Sequence, residues 1–277
     1  MTGFKVNPSR RFIALEIEVA RGDSHAMMNT LVNWGDSLVE DASLPDTGWE
    51  LNLNPSNGDR FIAHTTAIAS ALSEAGASAN TDCGMHCHVD ARDFGWLDLF
   101  KLCKIYCKVE RGLFMLCSRS RQDNRYCMKC SHTYFFEDYK TFKRDLIYRL
   151  YGWTPGKIRP CTCYGKTHSG AHKNRDYRAF QEKNEKYNSA RYHALNLHSF
   201  FYRQTVEFRH HHGTVDAKKM QGWGMTCAAI MDAASSLTVT QIEALPVDSW
   251  EALLEILSPS LCAWAIARAA ELNRKGE

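Results

Sequence analysis

No stretch of this 277-residue chain reaches the roughly 18 consecutive apolar residues that a membrane-spanning helix needs. Residues 1–10, MTGFKVNPSR, lack the apolar core and small-residue cleavage site of a secretory signal. No Gly-x-x-x-x-Gly-Lys-Ser/Thr loop, dinucleotide-binding glycine fingerprint or Gly-x-Ser-x-Gly nucleophile elbow is present, which removes the commonest nucleotide-binding and hydrolase folds. There is no internal repeat and no low-complexity tract, and the length suits one elaborated domain over 1–277. The 11 cysteines are an odd number, which argues against a closed disulfide set and for reduced cytosolic thiols.

The net charge of +3 is small but unevenly spread. Residues 119–191 carry 17 Lys/Arg against 7 Asp/Glu, while the rest of the chain is acidic. The same stretch holds Tyr126, Tyr134, Phe135, Phe136, Tyr139, Phe142, Tyr148, Tyr151 and Trp153. It reads either as a solvated basic surface over a small aromatic core or as a positive field that attracts an acidic peptide, nucleotide or nucleic acid.

The pattern of apolar residues predicts an α+β fold with a mostly antiparallel sheet. Strands are expected at 11–20, 48–53, 85–91, 192–199 and 205–211. Helices are expected at 23–38, 58–75, 96–117, 139–150, 178–186 and 217–235, with a C-terminal helical segment over about 249–273. Residues 118–190 read as a basic, loop-rich insertion, with a flexible loop around 152–170.

Chemistry concentrates on the faces of the expected strands. Glu16 and Glu18 alternate with Leu15, Ile17 and Val19, so the carboxylates point away from the apolar face. Glu50 repeats the pattern on a second strand. Two strands with aligned carboxylates repel each other unless a cation lies between them, and hard divalent ions such as Mg²⁺ or Mn²⁺ take such oxygens and bridge to phosphates. His86, His88 and Asp90 share one face of a third strand behind Gly84, a pattern that zinc hydrolases also use. Glu207 and Arg209 either pair with each other or place a metal ligand beside a group that neutralises a transferring phosphoryl. Arg191, His193 and Asn196 precede them; Arg191 and His193 share a strand face, and Asn196 falls on the other unless the strand is bulged. His210, His211 and His212 close the strand without an assigned role. Cys127, Cys130, Cys161 and Cys163 form two pairs that invite a structural Zn²⁺, although the second pair is one residue short of the common spacing.

In this order, Phe12–Glu18, Glu40–Glu50, Cys83–Asp90 and Thr205–Asp216, with a looser match at Asn124–Cys127, resemble the amidoligase family. That family is found in phages and bacteria and belongs with the carboxylate–amine ligases related to glutamine synthetase and glutamate–cysteine ligase. The resemblance covers roughly residues 10–235. It implies a curved antiparallel sheet of the glutamine synthetase type with helices on its convex side, and ATP-dependent amide-bond formation in the cytoplasm of a bacterial or phage-infected cell. Carried over by position, it implies that Glu16, Glu18, Glu50, His86 and Glu207 hold Mg²⁺ or Mn²⁺. It places His88, Asn196 and Arg209 at the nucleotide, and Arg209, Glu207 and Arg191 in catalysis. The partners implied are a carboxylate and an amine substrate, and an oligomer is possible since related synthetases form rings. The chain departs from the family pattern at Asp41-Ala42-Ser43, where Asp-Gly-Ser is usual, and at His211.

Two other readings compete: a zinc hydrolase built on His86, His88 and Asp90, and a zinc-stapled nucleic-acid or assembly module that uses the basic 119–191 stretch.

Overall fold

The computed structural model describes residues 9–41, 44, 48–151 and 189–275; the loop expected at 152–170 and the helix expected at 178–186 lie outside them. Within these residues the fold is α+β. Strands β1 (Ile13–Val19), β2 (Ser37–Glu40), β3 (Trp49–Asn52), β4 (Gly84–Asp90), β5 (Leu195–Asn196) and β6 (Thr205–His212) form one antiparallel sheet in the order β2-β3-β1-β4-β6-β5. The helices are α1 (Ser24–Trp34), α2 (Gly58–Glu74), α3 (Trp96–Phe114), α4 (Tyr139–Tyr151), α5 (His198–Arg203), α6 (Ala217–Ser236), α7 (Val239–Ala244), α8 (Trp250–Ile256) and α9 (Pro259–Lys275).

The two-residue alternation of β1 decides which side of the sheet is dry. Ile13, Leu15, Ile17 and Val19 are fully or almost fully buried, and each contributes roughly 1.5–3 kcal/mol from apolar burial. They join one cluster with Met27 and Leu31 of α1, Phe61 and Ile68 of α2, and Leu102 and Ile105 of α3. Helix α6 packs against β1 and β4 on this side, and α3 packs against α6 and α8. Gly224 permits the close approach of α6, since a Cβ there would come within 2.6 Å of Phe61 Cζ. Glu16 and Glu18 are left on the opposite face.

Three expectations change. Helix α1 ends at Trp34, because Gly35 adopts φ +72° and donates its N–H to the carbonyls of Leu31 and Val32; Leu38 then belongs to β2, an edge strand not anticipated. The strand expected at 192–199 is a 3₁₀ turn at Ser189–Tyr192, the two residues of β5 and then α5. Leu197, Phe200 and Phe201 are buried at helical spacing, and tertiary burial overrides the β-rich composition. In front of β5, Met128 donates to the Tyr192 carbonyl at 2.9 Å and accepts from Ala194 N at 2.8 Å, so this side of the sheet is occupied.

The third change is a β-bulge. Cys87 pairs with Phe208 and Met85 with His211, so His86 faces two residues of β6, Arg209 and His210. The extra residue reverses the alternation. Arg209 lines the same cleft as Glu207, whereas His210 and His211 are fully buried and both rings lie against Trp223.

Candidate functional site

Strand register brings the polar faces of five strands together. Glu18 lies directly opposite Glu50, Glu16 opposite His86, His88 opposite Glu207, and Glu207 opposite Asn196. All but His88 line a cleft of about 790 Å³, with Arg121, Arg125, Arg191, Arg203 and Arg209 among its walls.

Two groups of potential metal donors lie along it, with His88 just behind its wall. Glu16, His88 and Glu207 each offer one atom within 4.8 Å of the others, and so do Glu18, Asp41 and Glu50. His88 Nε2 is 3.3 Å from Glu16 Oε1 and 3.9 Å from Glu207 Oε2. His88 Nδ1 is 3.0 Å from Thr205 Oγ1, a contact that orients the ring and leaves Nε2 facing the carboxylates. His86 stands between the groups, 3.4 Å from Glu16, 3.8 Å from Glu18 and 3.7 Å from Glu207. His88, expected at phosphate, lies with Glu16 and Glu207 in one group of donors, and His86, expected as a metal ligand, lies between the two groups.

Each carboxylate is held. Asn196 Nδ2 donates to Glu207 Oε2 at 2.6 Å, and Arg209 pairs with Oε1 of the same residue. Arg203 Nη1 donates to Glu16 Oε1 at 2.7 Å. Gly84 N donates to Glu18 Oε2 at 2.5 Å, and Asn52 Nδ2 to Glu50 Oε1 at 2.9 Å. Burial opposes ionisation of Glu16, but His88 and His86 outweigh it and hold the carboxyl well below the usual range. Burial likewise opposes ionisation of Glu207, and Arg209 with His88 overcomes it. Glu50 shifts the other way: burial and then the charge of Glu16 raise it. His88 resists charging through burial, yet Glu16 and Glu207 push its pKa up.

Other expected site residues separate. Arg191 and Asn196 both line the cleft, because the turn at 189–192 replaces the extended strand. His193 instead packs against Tyr134 and contacts the Ala190 carbonyl. Asp90 holds Arg92 through two hydrogen bonds at 2.8 and 2.9 Å and lies outside both donor groups, so the His86–His88–Asp90 triad of a zinc hydrolase does not assemble. Cys127 and Cys130 are buried, and burial pushes both thiols up; Cys161 and Cys163 lie outside the described residues. In the described part of the basic stretch, Arg125, Lys129, Lys143, Arg149 and Arg191 lie over the rings of Tyr126, Phe114, Trp96, Phe136 and Tyr192.

The sequence did not single out Asp41 or Arg203. Asp41 follows β2, a strand too short and exposed to announce itself, and Arg203 ends the unanticipated α5.

A family model described as "putative amidoligase enzyme" matches residues 36–231. The chain belongs to this amidoligase family. The match includes Glu50, His86, His88, Arg191, Asn196, Glu207 and Arg209, and makes the chain a ligase in its broad class. It begins after β1, and strand register places Glu16 and Glu18 beside the matched residues Glu50 and His86. No curated protein matches the chain. Among the described residues of this amidoligase-family chain, no helix is long and apolar enough to cross a membrane.

Proposed function

We propose that this chain is an ATP-dependent carboxylate–amine ligase that forms an amide bond through an acyl phosphate. The observation that carries the reading is the pair of donor groups, Glu16–His88–Glu207 and Glu18–Asp41–Glu50, whose five carboxylates line one cleft with Arg209 beside them. The residues fit divalent cations. His88 Nε2 is buried and faces two carboxylates, 3.3 Å from Glu16 Oε1 and 3.9 Å from Glu207 Oε2, and five of the six donors are oxygens, the preference of Mg²⁺ and Mn²⁺. Such ions supply charge screening between a triphosphate and a carboxylate substrate.

The chemistry divides into two displacements. A carboxylate oxygen of the acid attacks the γ-phosphorus of ATP and ADP leaves. The amine nitrogen then attacks the acyl carbon, phosphate leaves, and the nitrogen gives up a proton to solvent. Arg209, fixed by Glu207 and by its Nε bond to the Tyr126 carbonyl at 3.0 Å, stabilises charge on the transferring phosphoryl. Asn196 keeps Glu207 in place, and Arg191 adds positive charge to the cleft wall. The acid and amine belong to small molecules, a peptide or a protein.

The test is ADP release with Mg²⁺ or Mn²⁺ over a panel of acids, with hydroxylamine trapping the acyl phosphate as a hydroxamate. Metal-dependent ADP and hydroxamate are expected, and both should vanish in Glu207→Gln. ATP turnover indifferent to divalent ions, or unaffected by that substitution, overturns the reading.

A further inference from the structure

We propose that Arg125, Tyr126, Arg191 and Tyr192 form a platform in the cleft that takes the base of the nucleotide. This rests on the ligase reading and adds the place and chemistry of base recognition.

The four side chains all line the cleft and make a continuous ladder. The Arg125 guanidinium lies 4.7 Å from the centre of the Tyr126 ring, Tyr126 and Tyr192 meet edge to face at 5.8 Å, and Arg191 lies 5.0 Å from the centre of the Tyr192 ring. Two rings have four faces. Among the described residues, two are covered by guanidinium groups and one by the neighbouring ring's edge, which leaves one for a planar ligand. Tyr126 is 38% exposed, so the ladder is open to solvent at this point.

The rest of the lining offers a base little. Seven carboxylates line the cleft, and the third tyrosine, Tyr202, stacks on His198 with an interplanar angle of 14°. An uncharged aromatic ligand gains from π faces and guanidinium planes, not from carboxylates. The position is also right. Arg209 joins the donor group to the platform directly, with one nitrogen on Glu207 and another on the Tyr126 carbonyl. A triphosphate beside Arg209 and the donor groups therefore has its nucleoside end directed to the tyrosines, with Arg125 and Arg191 flanking the intervening phosphates.

Isothermal titration of ATP and of inorganic tripolyphosphate, each with Mg²⁺, tests this on the full chain. Wild-type protein should bind ATP more tightly than tripolyphosphate. Tyr126→Leu and Tyr192→Leu should weaken ATP on the order of tenfold to a hundredfold and leave tripolyphosphate within about a factor of two, while Tyr126→Phe, which keeps the ring, should stay close to wild type. Equal losses for both ligands, or ATP affinity unchanged in both leucine variants, overturn the platform. If wild-type protein binds neither ligand, the nucleotide reading itself falls.

Discussion

Glu18 and Glu50 face each other across the β1–β3 ladder, and among the described residues neither has a lysine or arginine ion-pair partner. The neighbouring group differs: Glu16 is balanced by Arg203 and Glu207 by Arg209. Like charges directly opposite on one sheet face cost up to about 1 kcal/mol. Among the described residues, the Glu18–Glu50 pair therefore lacks the arginine partners that Glu16 and Glu207 have.

Replacing Glu50 with Gln should stabilise the metal-free protein by roughly 0.2–1 kcal/mol by removing this repulsion. Mn²⁺ should raise the unfolding temperature of the wild type, and the same variant should lose much of that rise. Thermal unfolding with and without Mn²⁺ measures both effects. A variant that is less stable without metal, yet stabilised by Mn²⁺ as fully as the wild type, would contradict the role assigned to this pair.

Much of the cleft was legible because period-two alternation places Glu16, Glu18, Glu50, His86, His88 and Glu207 on strand faces whatever the surroundings. Register was not legible. Which histidine stands beside Glu207 depends on how β4 and β6 pair, and the bulge opposite His86 is a tertiary feature that no local spacing announces. Arg203 was missed for a related reason. Leu197, Phe200 and Phe201 fit helical spacing, but the surrounding β-favouring residues suggested a strand, so the side chain at the end of α5 had no assigned direction. Asp41 directly follows β2, and the pairing of that short strand with β3 is a tertiary feature that its own composition does not announce.

Acid should destabilise the protein earlier than carboxylate titration alone would. Burial, followed by the charge of Arg121, lowers His210 to about 3; burial and then Arg268 lower His212 to about 3; burial and then His212 push His211 well below its ordinary value. Unfolded histidine titrates near about 6.5, so between there and about 3 the unfolded chain binds more protons and stability falls as pH falls, by about 1.4 kcal/mol per unit for each residue. His88 acts in the opposite sense in metal-free protein. Its raised pKa contributes stability that is complete below about 6.5 and is lost as pH rises through the folded value. Urea unfolding across about pH 4 to 8 should thus show an optimum near about 6.5, and His210→Gln should flatten the acid limb. An acid limb of unchanged slope in that variant would refute the assignment.

Under the proposed function, Arg203 would compete with a divalent cation for Glu16. Its guanidinium bonds Glu16 Oε1 at 2.7 Å, the same oxygen that lies 3.3 Å from His88 Nε2. The side chain is partly exposed, so the pair is worth on the order of 1 kcal/mol or less, equivalent to about fivefold in affinity. Arg203→Met should tighten Mn²⁺ binding by up to that factor, measured from the free-ion signal in electron paramagnetic resonance. Weaker Mn²⁺ binding would mean that Arg203 supports the donor group instead of competing with it.

Arg209→Lys tests whether fork geometry, rather than charge, matters beside Glu207. The guanidinium bonds Glu207 through Nη1 and the Tyr126 carbonyl through Nε, and it is almost fully buried. An ammonium preserves the positive charge but is a single point without the planar spread of nitrogens that reaches both partners at once. One partner is then lost, and the charge moves away from the position where the phosphoryl group would pass. Loss of a preorganised stabilising donor commonly costs about a hundredfold to a thousandfold in turnover. Metal-dependent ADP release should fall by that order, while Mn²⁺ binding at Glu16, His88 and Glu207 persists. If the lysine variant turns over ATP within about threefold of wild type, Arg209 serves to neutralise Glu207, and charge stabilisation of the transferring phosphoryl must come from another cleft arginine.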